Sequence, residues 1–264
     1  PLLERIEETR LKQTKWTKKR SEGLPRWAMG LLMGLCIGLI VVALGGLVIY
    51  VLLTGGARKE FDELAQRVEK ETVGLPAGKA YADLKAENPD FVGWIKIEGT
   101  SVNYPVVQTK AEPQYYLRRS FEGSYSIAGT PFLDAQCDME KGIGLIIYGH
   151  NMNDGSMFAD IAGYTHETYW REHPIIQCDS LTRQREYEVM AVLQFKDSEQ
   201  AAQDYYSVPR DEMNFTEYIS RLADAALYDT GIQAVWGDQI LALSTCSRQD
   251  SDSRILVIAR KTGL

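Results

Sequence analysis

Twenty-seven consecutive residues, Trp27 to Leu53, contain no charged side chain and are rich in Leu, Ile, Val and Gly. Wound as a helix, the run is roughly 40 Å long. That is enough to cross a hydrocarbon core of roughly 30 Å with some tilt. A secretory signal has a shorter apolar region and a small-residue cleavage site just after it, and this sequence has neither. The run therefore divides the chain into a tail over 1–26, a transmembrane helix over 27–53 and everything that follows.

The flanks set an expected orientation. Residues 1–26 hold eight Lys/Arg and four Glu, whereas Arg58 and Lys59 on the other side are followed at once by Glu60, Asp62 and Glu63. Positive charge favours the cytoplasmic side, so the tail is expected inside and the rest outside, as a single-pass cell-membrane protein. The whole chain carries −7 and the tail +4, which leaves −11 outside. An acidic outer part excludes nucleic acid as a natural partner. The basic tail suits anionic lipid headgroups.

After the membrane run, Ala57 to Thr72 places Phe61, Leu64, Ala65 and Val68 on one helical face. Gly74-Leu75-Pro76-Ala77-Gly78 breaks it, and a shorter helix over Lys79–Glu87 stops before Pro89. Residues 54–87 thus read as a helical extension. From there the texture is β: Phe91–Ile97, Val102–Val107, Thr130–Leu133, Ile143–Gly149, Ile175–Cys178, Arg185–Lys196, Gln239–Thr245 and Arg254–Lys261. Glu98-Gly99-Thr100 forms a tight turn between the first two. Many short strands with few long helices point to a mainly β fold closed as a barrel over 88–264. Helical inserts interrupt it, at Ser156–Trp170 in pieces and at Asp211–Tyr228.

Within this β region, Leu241-Ala242-Leu243-Ser244-Thr245-Cys246 and Arg254-Ile255-Leu256-Val257-Ile258 read as two apolar strands joined by the polar loop Ser247–Ser253. Paired as an antiparallel hairpin, they set the Cys246 thiol and the Arg254 guanidinium at one end of the sheet. A thiolate is the reactive form of cysteine and a nearby cation favours it. His150 also follows an apolar strand, Gly144 to Gly149, and is the third reactive group at a strand terminus. The chemistry this allows is attack of Cys246 on a carbonyl to form a thioester, with His150 as proton carrier. Arg254 stays protonated and can only donate hydrogen bonds, to a substrate carbonyl or a developing oxyanion. Asp250 and Asp252 are near enough to pair with Arg254 or to orient the site, and sequence does not separate these roles. His166 and His173, among Glu167, Arg171 and Glu172, read as surface or packing residues. No Cys-x-x-Cys, His-Glu-x-x-His, calcium loop or phosphate-binding glycine loop is present, so no metal or other cofactor is expected. Cys36 lies in the apolar run. An oxidising exterior would allow a Cys137–Cys178 disulfide, but no spacing brings the two together. Two buried free thiols are the preferred reading.

These residues resemble a known family. Leu243-Ser244-Thr245-Cys246 followed by Arg254 is similar to the motif of sortases, membrane-anchored cysteine transpeptidases of Gram-positive bacteria. Ile146-Ile147-Tyr148-Gly149-His150-Asn151-Met152 with Asp154-Gly155-Ser156-Met157-Phe158 looks like the class B branch, as do Val92-Gly93-Trp94-Ile95, Tyr104-Pro105-Val106-Val107-Gln108 and Phe132-Leu133-Asp134. The likeness runs from about Asn88 to the C-terminus. One departure is Ala242, where the family often has threonine. The resemblance implies an eight-stranded sortase-type barrel, with Cys246 as nucleophile, His150 as acid/base and Arg254 as oxyanion or substrate stabiliser. Ser244 and Thr245 would line the groove for a sorting peptide. It implies secreted proteins with a C-terminal Asn-Pro-x-Thr-x-like sorting signal as substrates, cleaved after Thr, and an amine of a peptidoglycan precursor as acceptor. A pilin-polymerising sortase, a hydrolase and an inactive peptide-binding domain of the same fold remain open.

Overall fold

A computed structural model describes residues 25–72, 78–198, 202–247 and 252–263. The chain forms two compact units, Pro1–Leu52 and Leu53–Leu264. In the first, the described residues belong to helix α1 (Arg26–Thr72), whose segment Arg26–Tyr50 has a mean hydropathy of 2.8 and buries none of its apolar window. It is the one helix among the described residues long and apolar enough to cross a membrane. The helices expected over 27–53 and Ala57–Thr72 are both part of α1, with Gly55 and Gly56 inside it. A helical glycine costs only about 1 kcal/mol relative to alanine, too little to end a long helix.

In the second unit, the later turns of α1 bury Phe61, Leu64 and Val68, spaced for one helical face. Phe61 meets Tyr104 edge to face, with ring centroids 5.5 Å apart. Helix α2 (Gly78–Glu87) buries Tyr81 and Leu84, and the Tyr81 hydroxyl donates to Asp179 Oδ2 at 2.8 Å. These helices therefore pack on strands rather than standing free.

All eight expected strands form: β1 (Phe91–Lys96), β2 (Asn103–Val107), β3 (Phe132–Leu133), β4 (Gly144–Tyr148), β5 (Ile175–Ser180), β6 (Glu186–Lys196), β7 (Ile240–Cys246) and β8 (Ser253–Lys261). They close a barrel in the order β1-β2-β3-β4-β7-β8-β6-β5. Pairing is antiparallel except between β2 and β3 and between β4 and β7. Gly99 turns β1 into β2 with φ +77°, a conformation that suits glycine. β3 is shorter than expected because Thr130 bonds elsewhere, its N–H to Tyr116 O and its hydroxyl to Arg119 O. The core fills the barrel with side chains such as Ile95, Leu145, Ile147, Tyr187, Leu241, Leu243 and Val257, all essentially inaccessible.

The Ser156–Trp170 insert resolves into a 3-10 turn (Asp160–Thr165) and helix α3 (Glu167–Glu172). Between β6 and β7 a long insert carries the short helix α4 (Ala202–Tyr205) and then α5 (Glu212–Ala225). The Asp211 carboxylate caps α5 by accepting from Asn214 N at 3.1 Å. The helix ends before Tyr228 because Leu227 N–H donates to Val192 O on β6.

Candidate active site

The barrel register brings the three candidate residues towards one row. Cys246 pairs with Arg254 across β7 and β8, and Arg254 with Phe195 across β8 and β6. On the other flank, β4 runs parallel to β7 with Tyr148 beside Ser244. The backbone link continues, since Gly149 N donates to Ser244 O at 3.1 Å. His150 follows directly, so continuing the Tyr148–Ser244 register carries it to the level of Cys246. Neighbouring strands lie about 4.8 Å apart, so His150, Cys246 and Arg254 occupy adjacent strand ends in that order.

Alternation puts Ser244 and Cys246 on one face of β7 and Thr245 on the other. The Ser244 hydroxyl shares a hydrogen bond of 2.8 Å with the Tyr206 hydroxyl, which the β6–β7 insert supplies. Thr245 is used differently: its hydroxyl donates to Gly149 O at 2.8 Å and braces the residue before His150. Asn151 Nδ2 donates to Cys246 O at 2.9 Å, a second tie between the two strand ends. Cys246 is half-buried and its thiol is free, as are the buried Cys137 and Cys178.

Residues 95–262 match the family model described as the sortase domain. The chain belongs to the sortase family. It is 32% identical over 184 residues to sortase B of Listeria monocytogenes, covering 68% of this chain and 72% of that one. It is 28% identical over 183 residues to sortase B of Staphylococcus aureus, covering 68% and 73%. A solved Staphylococcus aureus sortase B–substrate complex superposes with a TM-score of 0.71 at 24% identity, over 78% of this chain and 96% of that one. The protein is thus a sortase-type cysteine transpeptidase, similar to sortase B, and the eight-stranded barrel expected from its sequence is a sortase barrel.

The electrostatics around His150 suit proton transfer. Burial lowers its pKa below the ordinary 6.5, a nearby Arg118 cation pushes the same way, and the Leu117 carbonyl opposes both. His150 Nε2 lies 2.8 Å from Leu117 O. A carbonyl only accepts, so Nε2 carries the proton and Nδ1 is the basic nitrogen of the neutral ring.

Arg254 Nη2 donates to Asp197 Oδ2 at 2.8 Å. Asp197 follows the last residue of β6, and its N–H donates to Asp252 O at 2.7 Å. Asp252 Oδ2 accepts from the Ser198 hydroxyl. Asp250 lies outside the described residues. Sequence reasoning looked for an acid in the β7–β8 loop and missed Asp197, which a non-local strand pairing delivers. It also missed Tyr206, whose hydroxyl is raised in pKa mainly by burial and feels the charges of Asp197, Arg254 and Cys246. Tyr206 stacks near Tyr148 and Phe195, with centroids at 6.1 and 5.9 Å. His173 is a packing residue as expected: its Nδ1 meets Glu98 O at 2.9 Å and its ring sits against Gly99.

Proposed function

We propose that this sortase cleaves an Asn-Pro-x-Thr-x-like C-terminal signal after its Thr and transfers the protein to an amine of a peptidoglycan precursor. The observation that carries this reading is the row of His150, Cys246 and Arg254 on three neighbouring strands. Cys246 Sγ attacks the Thr carbonyl carbon while its proton passes to His150 Nδ1. The C–N bond breaks as His150 returns that proton to the departing amine. Arg254, oriented by Asp197, donates to the oxyanion that forms in between. An incoming amine then attacks the thioester and gives its proton to His150, which returns it to the departing Cys246 thiolate. Ser244, held by Tyr206, lines the path of the peptide, and Thr245 supports it from the opposite face by fixing Gly149. Residues 1–26 stay cytoplasmic, 27–53 span the membrane, 54–87 act as a helical spacer and 88–264 act outside. Secreted proteins carrying the signal are the partners.

The test incubates the full chain in detergent with a labelled Asn-Pro-x-Thr-x peptide, with and without an amine acceptor. Cleavage followed by amine incorporation is expected, and Cys246→Ala abolishes both. Binding without cleavage would instead identify an inactive peptide-binding domain, and cleavage without incorporation a hydrolase. Protease added to intact cells should digest residues 88–264, and protection of that part would reverse the orientation.

A further inference from the structure

The carbonyl that meets His150 Nε2 belongs to a single 3-10 turn, Tyr115–Arg118, in the connection between β2 and β3. A turn of this kind holds itself weakly, because its hydrogen bonds are few and poorly aligned. Leu117 N–H donates to Gln114 O at 3.0 Å, and Arg119 N–H reaches Tyr116 O only at 3.4 Å. The direction of the Leu117 carbonyl must therefore be fixed from outside the turn.

Two sets of contacts fix it. On one side the chain returning towards β3 passes close behind. A Cβ on Gly129, whose φ is +64°, would lie 2.6 Å from Leu117 O, and Thr130 N–H donates to Tyr116 O at 3.1 Å. On the other side stands the Tyr116 side chain, 4% exposed. Its hydroxyl lies 3.0 Å from Asp90 Oδ2 and 3.0 Å from Asn88 Nδ2. A hydroxyl has one proton to give and a carboxylate can only accept, so Tyr116 donates to Asp90 and accepts from Asn88. Asn88 is buried, and the rest of its amide is committed as well. Its Nδ2 also donates to Phe121 O at 2.7 Å, and its Oδ1 accepts from Asp90 N at 2.8 Å. Asn88 N–H donates to Leu84 O of α2, and Phe91 N–H of β1 donates to Asn88 O. The junction of α2 with β1 thus grips the β2–β3 connection at Tyr116, inside the turn, and at Phe121, just after it.

We propose that Tyr116 is a positioning residue for the reaction: its hydroxyl, held between Asn88 and Asp90, aims the Leu117 carbonyl at His150 Nε2. The imidazole is thereby kept in one orientation, with Nδ1 left to take the Cys246 proton. Tyr116 transfers no proton itself, since burial pushes its hydroxyl up to about 12. The proposal rests on the proton-carrier role given to His150 above.

The test uses the full chain in detergent with isotope-labelled histidine. Proton NMR follows the imidazole N–H of His150, the signal that is absent from His150→Gln. In the wild type this proton should sit on Nε2 and exchange slowly with water. Tyr116→Phe keeps the ring and removes only the hydroxyl. The slowly exchanging signal should then be lost. The single-turnover rate of acylation should fall by about tenfold, inside the roughly 10²-fold that an ångström of misplacement costs, with KM near its wild-type value. Asp90→Ala removes the acceptor of the same hydroxyl and should act in the same direction. Tyr164→Phe is the control. It also deletes a buried hydroxyl, one that donates to His173 O at 2.7 Å, and should leave both readouts unchanged. A wild-type proton on Nδ1, an Nε2 proton that stays protected in Tyr116→Phe and Asp90→Ala, or a rate loss no larger than that of Tyr164→Phe overturns the proposal. A wild type that cleaves nothing overturns the function reading instead, while the proton signal, which needs no substrate, still decides whether Tyr116 aims His150.

Discussion

Burial decides the protonation of His150, and its neighbours adjust it. The ring is half-buried, its pKa lies below 6.5, and its Nε2 proton is committed to Leu117 O. Lowered pKa means that the neutral, proton-accepting form persists to a pH below 6.5 and is lost only as pH falls through the depressed value. The acid limb of kcat/KM for acylation should therefore lie below pH 6.5. Arg118→Ala removes a cation that favours the neutral ring, so the limb should shift to higher pH; an unshifted limb would dissociate it from His150. At Arg254 geometry matters more than charge. Arg254→Lys keeps the cation but loses the planar fork. It should lower kcat/KM by about 10²-fold, the effect of one missing oxyanion donor. Asp197→Asn tests the orienting role. The pair is 24% and 46% exposed, so its stability effect should stay within about 1 kcal/mol, while kcat/KM falls by clearly more than the melting temperature predicts. Equal losses in both would make Asp197 merely structural.

The elements differ in how far they can be read from the chain. The β7–β8 hairpin is contiguous, so its register, and with it the facing of Cys246 and Arg254, follows from two apolar runs and one loop. The parallel pairing of β4 with β7 joins segments about a hundred residues apart, and only the placement of His150 at a strand end hinted at it. The β6–β8 pairing left no local sign, which is why Asp197 was not foreseen. Tyr206 was equally hidden, because nothing in an insert's own sequence says which strand face it covers. The loop after β4 combines both situations. Phe158 N–H donates to His150 O at 2.8 Å, and Met157 holds a φ of +58° beneath it with its N–H on the Tyr104 hydroxyl. A Cβ on Gly149 would lie 2.6 Å from the Phe158 ring. Gly149→Ala should therefore displace His150 while the barrel still folds. Peptide cleavage should drop sharply with little change in the urea midpoint, whereas a parallel fall of both would show that Gly149 serves the fold rather than the site.

At the scale of the whole molecule, one apolar helix and one acidic barrel unit share a chain, and the composition of each states its surroundings. The Arg26–Tyr50 segment exposes leucine, isoleucine and valine along its whole length, consistent with a membrane anchor or a signal. The barrel buries its own core and leaves the candidate residues His150, Cys246 and Arg254 at one end of its strands. In the proposed reaction the Cys246 thiol carries the transferred protein between removal of its C-terminal segment and attack by the amine. The most direct test is to mix the full chain in detergent with the sorting peptide and no amine acceptor, quench in acid and map the product by mass spectrometry. The account predicts a thioester adduct on Cys246 whose mass equals the peptide up to its threonyl residue, and its disappearance when an amine is added. Cleavage that continues in Cys246→Ala, or an adduct on any other residue, would contradict it.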